Sequence, residues 1–322
     1  MTHPTVVAAT LILTVVSATL TMPLEALANG NHPPAALKKV TLWNSGTCPY
    51  AQRAWIALKE KGIDGTILDY QMVDLQNKDA TPEFGIAYYK ANPNTMSSSK
   101  VPVMVVETEV SATESGDGND DQRKDNSNKR YYTESKVVLE VIEELFPEGP
   151  RLLSDDIDQR YRARVFGDAV YDSIWGGDRS PYKMLGRKLK NDANDGSWDP
   201  IKEEETLRCM LEHLNESLQS LDAIGRSTST TSTSGPFVCG EHFGMAECVT
   251  APFVQRADFV LSDYLGMNVL QLCQTHGYER AGAWWKAVLE RPSVKETASP
   301  DPRASIQRVI DMMMSKAPVV SR

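Results

Sequence analysis

Residues 47–62, TCPYAQRAWIALKEKG, place a single cysteine beside a proline at the start of a predicted helix. Ala, Trp and Leu side chains recur here at helical spacing, and Gly62 is expected to end the helix. The flanking residues 39–44 and 66–75 are typical of β-strands. The order strand, helix, strand predicts two parallel strands joined by the helix that begins near Cys48.

The position of Cys48 favours a reactive thiolate. A helix N-terminus presents unsatisfied N–H groups and the positive end of the helix dipole, and both stabilise a negative sulfur. Pro49 suits the first helical turn because its missing N–H is not needed there. A second redox cysteine would stand at position 51, which is Ala51. A disulfide formed at Cys48 would therefore need an external thiol to resolve it; the alternative is a buried structural cysteine.

The N-terminal patterns predict a small α/β domain over residues 38–150. Residues 100–108 and 130–135 add predicted strands, and residues 135–146 form an amphipathic helical pattern. Residues 112–129 are polar, with mixed charges and no apolar periodicity, so we expect a disordered insertion there.

After residue 150 the patterns are helical, which predicts an all-α domain over residues 155–300. Within it, RSTSTTSTSGP (226–236) is a low-complexity linker. The tail, residues 301–322, could form one more amphipathic helix. The predicted fold class is thus an α/β domain followed by an all-α domain.

Residues 1–30 resemble a secretory signal peptide, because an apolar run precedes an A-x-A pattern at residues 26–28. We expect entry into the secretory pathway or targeting to an organelle, with the cytoplasm as the location otherwise. An uncleaved signal anchor is the alternative. The segment is excluded from the predicted fold.

Composition excludes several function classes. The 322 residues carry a net charge of -9, so a nucleic-acid surface is not implied. Five cysteines are too few and too scattered for a disulfide scaffold, and their spacings match no zinc motif, so no metal is expected.

Several motifs follow one another in a recognisable order: LWNSGTCPYAQRAWIALKEKG (42–62), VDLQNK (73–78), KVPV (100–103), TESKVVLEVIEELFPEGPRLL (133–153) and PFVCGEHFGMAECVTAPFVQR (236–256). This order resembles the cysteine-type glutathione transferases, most closely the lambda class, with the omega and dehydroascorbate reductase classes as neighbours. The resemblance covers about residues 38–300. It implies a thioredoxin-like N-terminal domain with a mixed four-stranded sheet, which carries the glutathione site. A glutathione-transferase-type helical domain would follow and carry most of the acceptor site.

The resemblance also implies glutathione-binding residues. A cis Val101–Pro102 bond would present the backbone of Val101 to the cysteinyl part of glutathione. Ser135 would bind the γ-glutamyl carboxylate, Glu134 the ammonium, and Lys78 the glycyl side. The residues alone also fit a trans edge-strand proline, plain helix capping by Ser135 and a solvated lysine.

Other residues have structural interpretations. Glu247 is expected at the N3 position of a capping box, with Gly244 in place of the usual Ser or Thr. Four aromatic residues on helical patterns belong either to the core or to the acceptor site: Tyr171, Trp175, Trp284 and Trp285.

The implied function is a glutathione-dependent thiol transferase or deglutathionylase that works through a mixed disulfide at Cys48. Glutathione is then a co-substrate, with no tightly bound cofactor, and the second substrate is a small organic acceptor or a glutathionylated molecule. We expect a monomer or weak homodimer. Dehydroascorbate reduction, a conjugating transferase and a non-enzymatic interaction protein of the same fold are the alternatives.

Overall fold

The computed structural model describes residues 37–95, 98–109, 128–192, 198–228 and 235–315. The signal-like segment, residues 1–30, lies outside these ranges. So does most of the predicted insertion, residues 112–129, whose last residue, Lys129, already belongs to a strand.

Four strands form one mixed sheet in the order β2-β1-β3-β4. They are β1 (Leu37–Asn44), β2 (Leu68–Met72), β3 (Val103–Thr108) and β4 (Lys129–Thr133). β1 pairs in parallel with β2, while β3 pairs antiparallel with both β1 and β4. The predicted parallel pair and the mixed four-stranded sheet are confirmed.

Helices cover both faces of this sheet. They are α1 (Pro49–Glu60), α2 (Pro82–Ala91) and α3 (Ser135–Leu145). Alternate residues of β3 separate the two cores: Val103 and Val105 pack with α2, whereas Met104 and Val106 join the core that contains α1 and α3. The two central strands, β1 and β3, are therefore buried on both sides, and the N-terminus of α1 follows directly after β1.

The C-terminal part is helical, as predicted. Its helices are α4 (Ile157–Tyr171), α5 (Pro181–Asp192), α6 (Pro200–Thr228), α7 (Met245–Phe259), α8 (Val269–His276), α9 (Glu279–Glu290), α10 (Pro292–Glu296) and α11 (Pro302–Ser315). The predicted linker 226–236 is wrong at its start, because α6 continues to Thr228 with no Gly or Pro among residues 226–228 to stop it. The predicted tail contains α11, whose Ile306 and Ile310 are buried in the same core. None of the described helices is long and apolar enough to cross a bilayer.

Helix α7 joins the two parts of the molecule. It is buried on almost every side and packs against α1 and α4. Glu247, fully buried at its N3 position, accepts hydrogen bonds from the backbone N–H of Gly244 and Val238 and from the indole of Trp284. The predicted structural role of Glu247 is confirmed. With α1 fixed on α7, Cys48 lies where the sheet meets the helical domain.

Candidate active site

The six residues predicted for the site line one cleft of about 480 Å³. They come from four separate stretches of the chain and are Cys48, Lys78, Val101, Pro102, Glu134 and Ser135. Tyr50 and Leu75 complete its apolar wall, and Thr133, the last residue of β4, also lines the cleft. The structure thus brings together every residue that the resemblance assigned to glutathione.

Cys48 is the N-cap residue of α1, with Pro49 at the first helical position. Its backbone N–H donates to Ser45 O at 2.9 Å, and the residue as a whole is half-buried. Burial raises the pKa of this thiol above its ordinary value, against the lowering effects of the Ala51 and Tyr50 N–H groups and of two arginine charges. The prediction of a thiolate favoured by its position is therefore wrong: burial raises the pKa of the thiol by more than the N–H groups at the start of α1 lower it.

The Val101–Pro102 bond is cis, as the resemblance implied. Among the described residues, no backbone hydrogen bond uses the N–H or C=O of Val101. Thr133 Oγ1 donates to Pro102 O at 3.1 Å, which ties the loop to β4. The backbone of Val101 is thus free to pair with an extended ligand in the cleft.

The start of helix α3 also lines the cleft. Its N-cap residue, Glu134, has φ 67, a left-handed backbone conformation that is costly for a non-glycine residue and clusters at functional sites. Within the described ranges, the Glu134 carboxylate has no hydrogen-bond or ion-pair partner. Ser135 Oγ accepts a hydrogen bond from Arg53 Nη1 at 3.1 Å. The hydroxyl proton of Ser135 must then point elsewhere, and it remains available to a ligand carboxylate.

Lys78 lies on a single 3-10 turn, Lys78–Ala80. Its ammonium donates to Ser99 O at 2.6 Å across the mouth of the cleft. An ammonium has three donor hydrogens, so two remain for an anionic group.

An aromatic cluster lies behind Cys48, at the boundary with the helical domain. Tyr50 and Tyr171 hydroxyls are 2.8 Å apart, and both rings pack edge-on against Phe253. Trp175 packs against Tyr50 and Phe253 as well. Of the four aromatic residues left open by the sequence, Tyr171 and Trp175 are half-buried beside the site, whereas Trp284 and Trp285 are fully buried core residues.

Two buried arginines near Cys48 were missed by sequence reasoning. Arg53, 2% exposed, lies within about 5 Å of the ring centroids of Tyr50, Tyr171 and Phe253 and donates from Nε to Val249 O. Arg256, 7% exposed, reaches from α7 to the first turn of α1. Both stand inside quoted motifs, but no local pattern shows that their side chains converge on Cys48.

Comparison with known proteins agrees with this geometry. Residues 47–145 match the family described as glutathione S-transferase, N-terminal domain. Glutathione S-transferase L2 of Arabidopsis thaliana is 25% identical over 274 residues, 83% of this chain and 68% of the relative. The probable glutathione S-transferase DHAR1 of Oryza sativa is 24% identical over 253 residues, 78% of this chain and 86% of the relative.

Solved structures share the whole fold. Glutathione transferase Omega 2C from Trametes versicolor matches with a TM-score of 0.55 at 22% identity, covering 86% of this chain and 99% of that chain. A rice transferase, GST1 (OsGSTU1), solved in complex with glutathione, matches with a TM-score of 0.53 at 21% identity over 87% and 98% of the two chains. Residues 47–145 are therefore similar to the N-terminal domain of the glutathione S-transferases, and the chain shares the fold of the solved transferases.

Proposed function

We propose that the protein is a glutathione-dependent thiol transferase that removes glutathionyl groups through a mixed disulfide at Cys48. The observation that carries the proposal is a single thiol in the cleft. All five cysteines are free, and none of the other four lines this cleft: Cys209 and Cys239 lie in the helical domain, and Cys248 and Cys273 are buried. A disulfide at Cys48 has no internal thiol to resolve it.

The cycle has two exchange steps. The Cys48 thiolate attacks the glutathionyl sulfur of a substrate R–S–S–G, forms Cys48–S–S–G and releases R–S⁻, which takes up a proton. The thiolate of free glutathione then attacks the glutathionyl sulfur of the mixed disulfide and releases Cys48 with the bonding electron pair. The net reaction converts R–S–S–G and glutathione into R–SH and oxidised glutathione.

The cleft supports the first step by holding the glutathionyl group in one orientation. Ser135 and the first N–H groups of α3 suit the γ-glutamyl carboxylate, and Glu134 suits its ammonium. The backbone of Val101 suits the cysteinyl part. Cys48 then lies beside the ligand sulfur, and the released group leaves toward the aromatic cluster of Tyr50 and its neighbours.

The raised pKa of the Cys48 thiol has a kinetic consequence. Only the thiolate attacks a disulfide, so the rate of transfer should rise with pH above neutrality until the thiol is ionised. In a conjugating transferase, which uses only the thiol of glutathione, the pH dependence of the rate would not change when Cys48 is replaced.

Dehydroascorbate reduction by the same cysteine is the second candidate, favoured by the relative named DHAR1. Steady-state kinetics with a small glutathionylated disulfide and with dehydroascorbate separate the two. We expect ping-pong kinetics with the disulfide, loss of activity in Cys48→Ser and unchanged activity in Cys239→Ser. Disulfide turnover that survives Cys48→Ser, or no turnover with either substrate, would reject the proposal in favour of a conjugating or non-enzymatic protein.

A further inference from the structure

Two arginines flank the first turn of α1 without a carboxylate partner. Arg53 and Arg256 are both almost fully buried, yet no ion pair between described residues includes either of them. Buried charges are normally paired, because an uncompensated ion in a protein interior loses its hydration without gaining a counter-charge. Each guanidinium is therefore expected to lie near a group that can carry a negative charge.

Arg256 crosses from the helical domain to the loop that carries Cys48. Its Nη1 donates to Gln52 Oε1 at 2.7 Å and to Pro252 O at 2.8 Å, and its Nη2 donates to Thr47 O at 3.4 Å. These acceptors are neutral, so they fix the guanidinium without neutralising it. Cys48 follows Thr47 on the same loop, and attraction to the Arg256 charge acts against the burial that raises the pKa of the thiol.

The remaining charged and titratable groups near Cys48 are less suited to this role. Arg53 lies against three aromatic faces and binds Ser135 instead. Arg308, on α11, donates to Thr47 Oγ1 at 2.6 Å but is exposed, so water and salt screen its charge. The other groups that face the cleft or Arg256 are Lys78, Lys100, Glu134, Tyr50 and Tyr182.

We propose that Arg256 is a positioning residue through which the helical domain stabilises the Cys48 thiolate and fixes its loop. The nucleophile of the sheet domain then depends on a charge supplied by α7 of the other domain. Gln52 belongs to the same hydrogen-bond network, since its side-chain amide accepts from Arg256 and donates to Gln255 and Thr297 across the domain boundary. This inference rests on the proposed use of Cys48 as a nucleophile.

The test is the pH profile of Cys48 alkylation by iodoacetamide in the full chain, followed by peptide mass. In Arg256→Gln we expect the midpoint to move to higher pH, with the thiolate fraction at pH 7 falling roughly tenfold, as for loss of one nearby opposite charge. Arg256→Lys should restore much of the shift. Arg280→Gln is the control, because Arg280 is a half-buried arginine paired with Asp222 and lies outside the cleft.

Gln52→Glu provides a second variant that keeps the size of the side chain. It places a carboxylate on the atom that Arg256 already contacts, so it should also move the midpoint to higher pH even if Arg256→Gln does not fold. An unchanged midpoint in either folded variant overturns the inference.

The alkylation assay contains no glutathione, so its outcome is separate from that of the thiol transfer assay. An unchanged profile in active enzyme rejects the role of Arg256 and leaves the proposed function standing. If the variants shift the alkylation profile but the wild type transfers no glutathionyl group, the role of Arg256 stands and the proposed function is rejected.

Discussion

Ser135→Ala should weaken glutathione binding by a predictable amount. The Ser135 hydroxyl accepts from Arg53 Nη1, which leaves its proton for the ligand carboxylate. A hydrogen bond to a charged group contributes about 1.5–3 kcal/mol, so the dissociation constant should rise about 10- to 150-fold. The substitution also removes an acceptor from Arg53, whose Nη2 already has no partner among the described residues, and should cost about 1–3 kcal/mol of folding stability.

The assay is calorimetric titration with S-methylglutathione, a thioether that cannot form a disulfide with Cys48. Ser99→Ala is the matched control, because Ser99 lines the same cleft but contributes its backbone carbonyl to Lys78. We expect the control to bind within twofold of wild type. If folded Ser135→Ala also binds within twofold of wild type, the γ-glutamyl carboxylate is not held at the start of α3.

Three further predictions concern stability and the acceptor side. Glu247→Ala removes the acceptor from three N–H donors, two of them buried, and should cost about 3–5 kcal/mol in urea unfolding. A cost below about 1 kcal/mol would contradict the role of Glu247. Burial acts to raise the pKa of Glu143, but its bonds to buried Lys61 and to backbone N–H groups lower the pKa overall. Ionised Glu143 therefore stabilises the fold above its unfolded pKa of about 4.3, and this stabilisation is lost as the pH falls through its lower folded pKa. In Lys61→Met, the free energy of unfolding should consequently depend less on pH in this acid range. Trp284→Ala should cost about 3–5 kcal/mol because the ring is fully buried, whereas Trp175→Ala should cost less and raise the KM for aromatic acceptors; equal stability costs would place Trp175 in the core.

Much of the fold could be predicted from local sequence patterns. The strand and helix around Cys48 follow from apolar spacing and a glycine stop, and β1 and β2 are parallel because α1 connects them. Within the predicted all-α region, local patterns do not single out helices α5 and α8, for different reasons. α5 is rich in charged residues, and α8 has eight residues, too few for the periodicity to stand out.

The chemistry of the site was only partly predictable. The six cleft residues lie in local motifs that resemble a known family, so their positions could be anticipated. Arg256 and Gln52 are 204 residues apart, and their contact exists only because α7 packs on α1. The raised pKa of the Cys48 thiol has the same origin: burial depends on tertiary packing, which the pattern at a helix start does not contain.

The most direct test of the central claim is the intact mass of the protein after incubation with oxidised glutathione, wild type beside Cys48→Ser. We predict one glutathionyl adduct on wild type, its removal by free glutathione, and no adduct on the variant. A wild type that stays unmodified, or an adduct that persists in Cys48→Ser, would contradict the mixed-disulfide cycle.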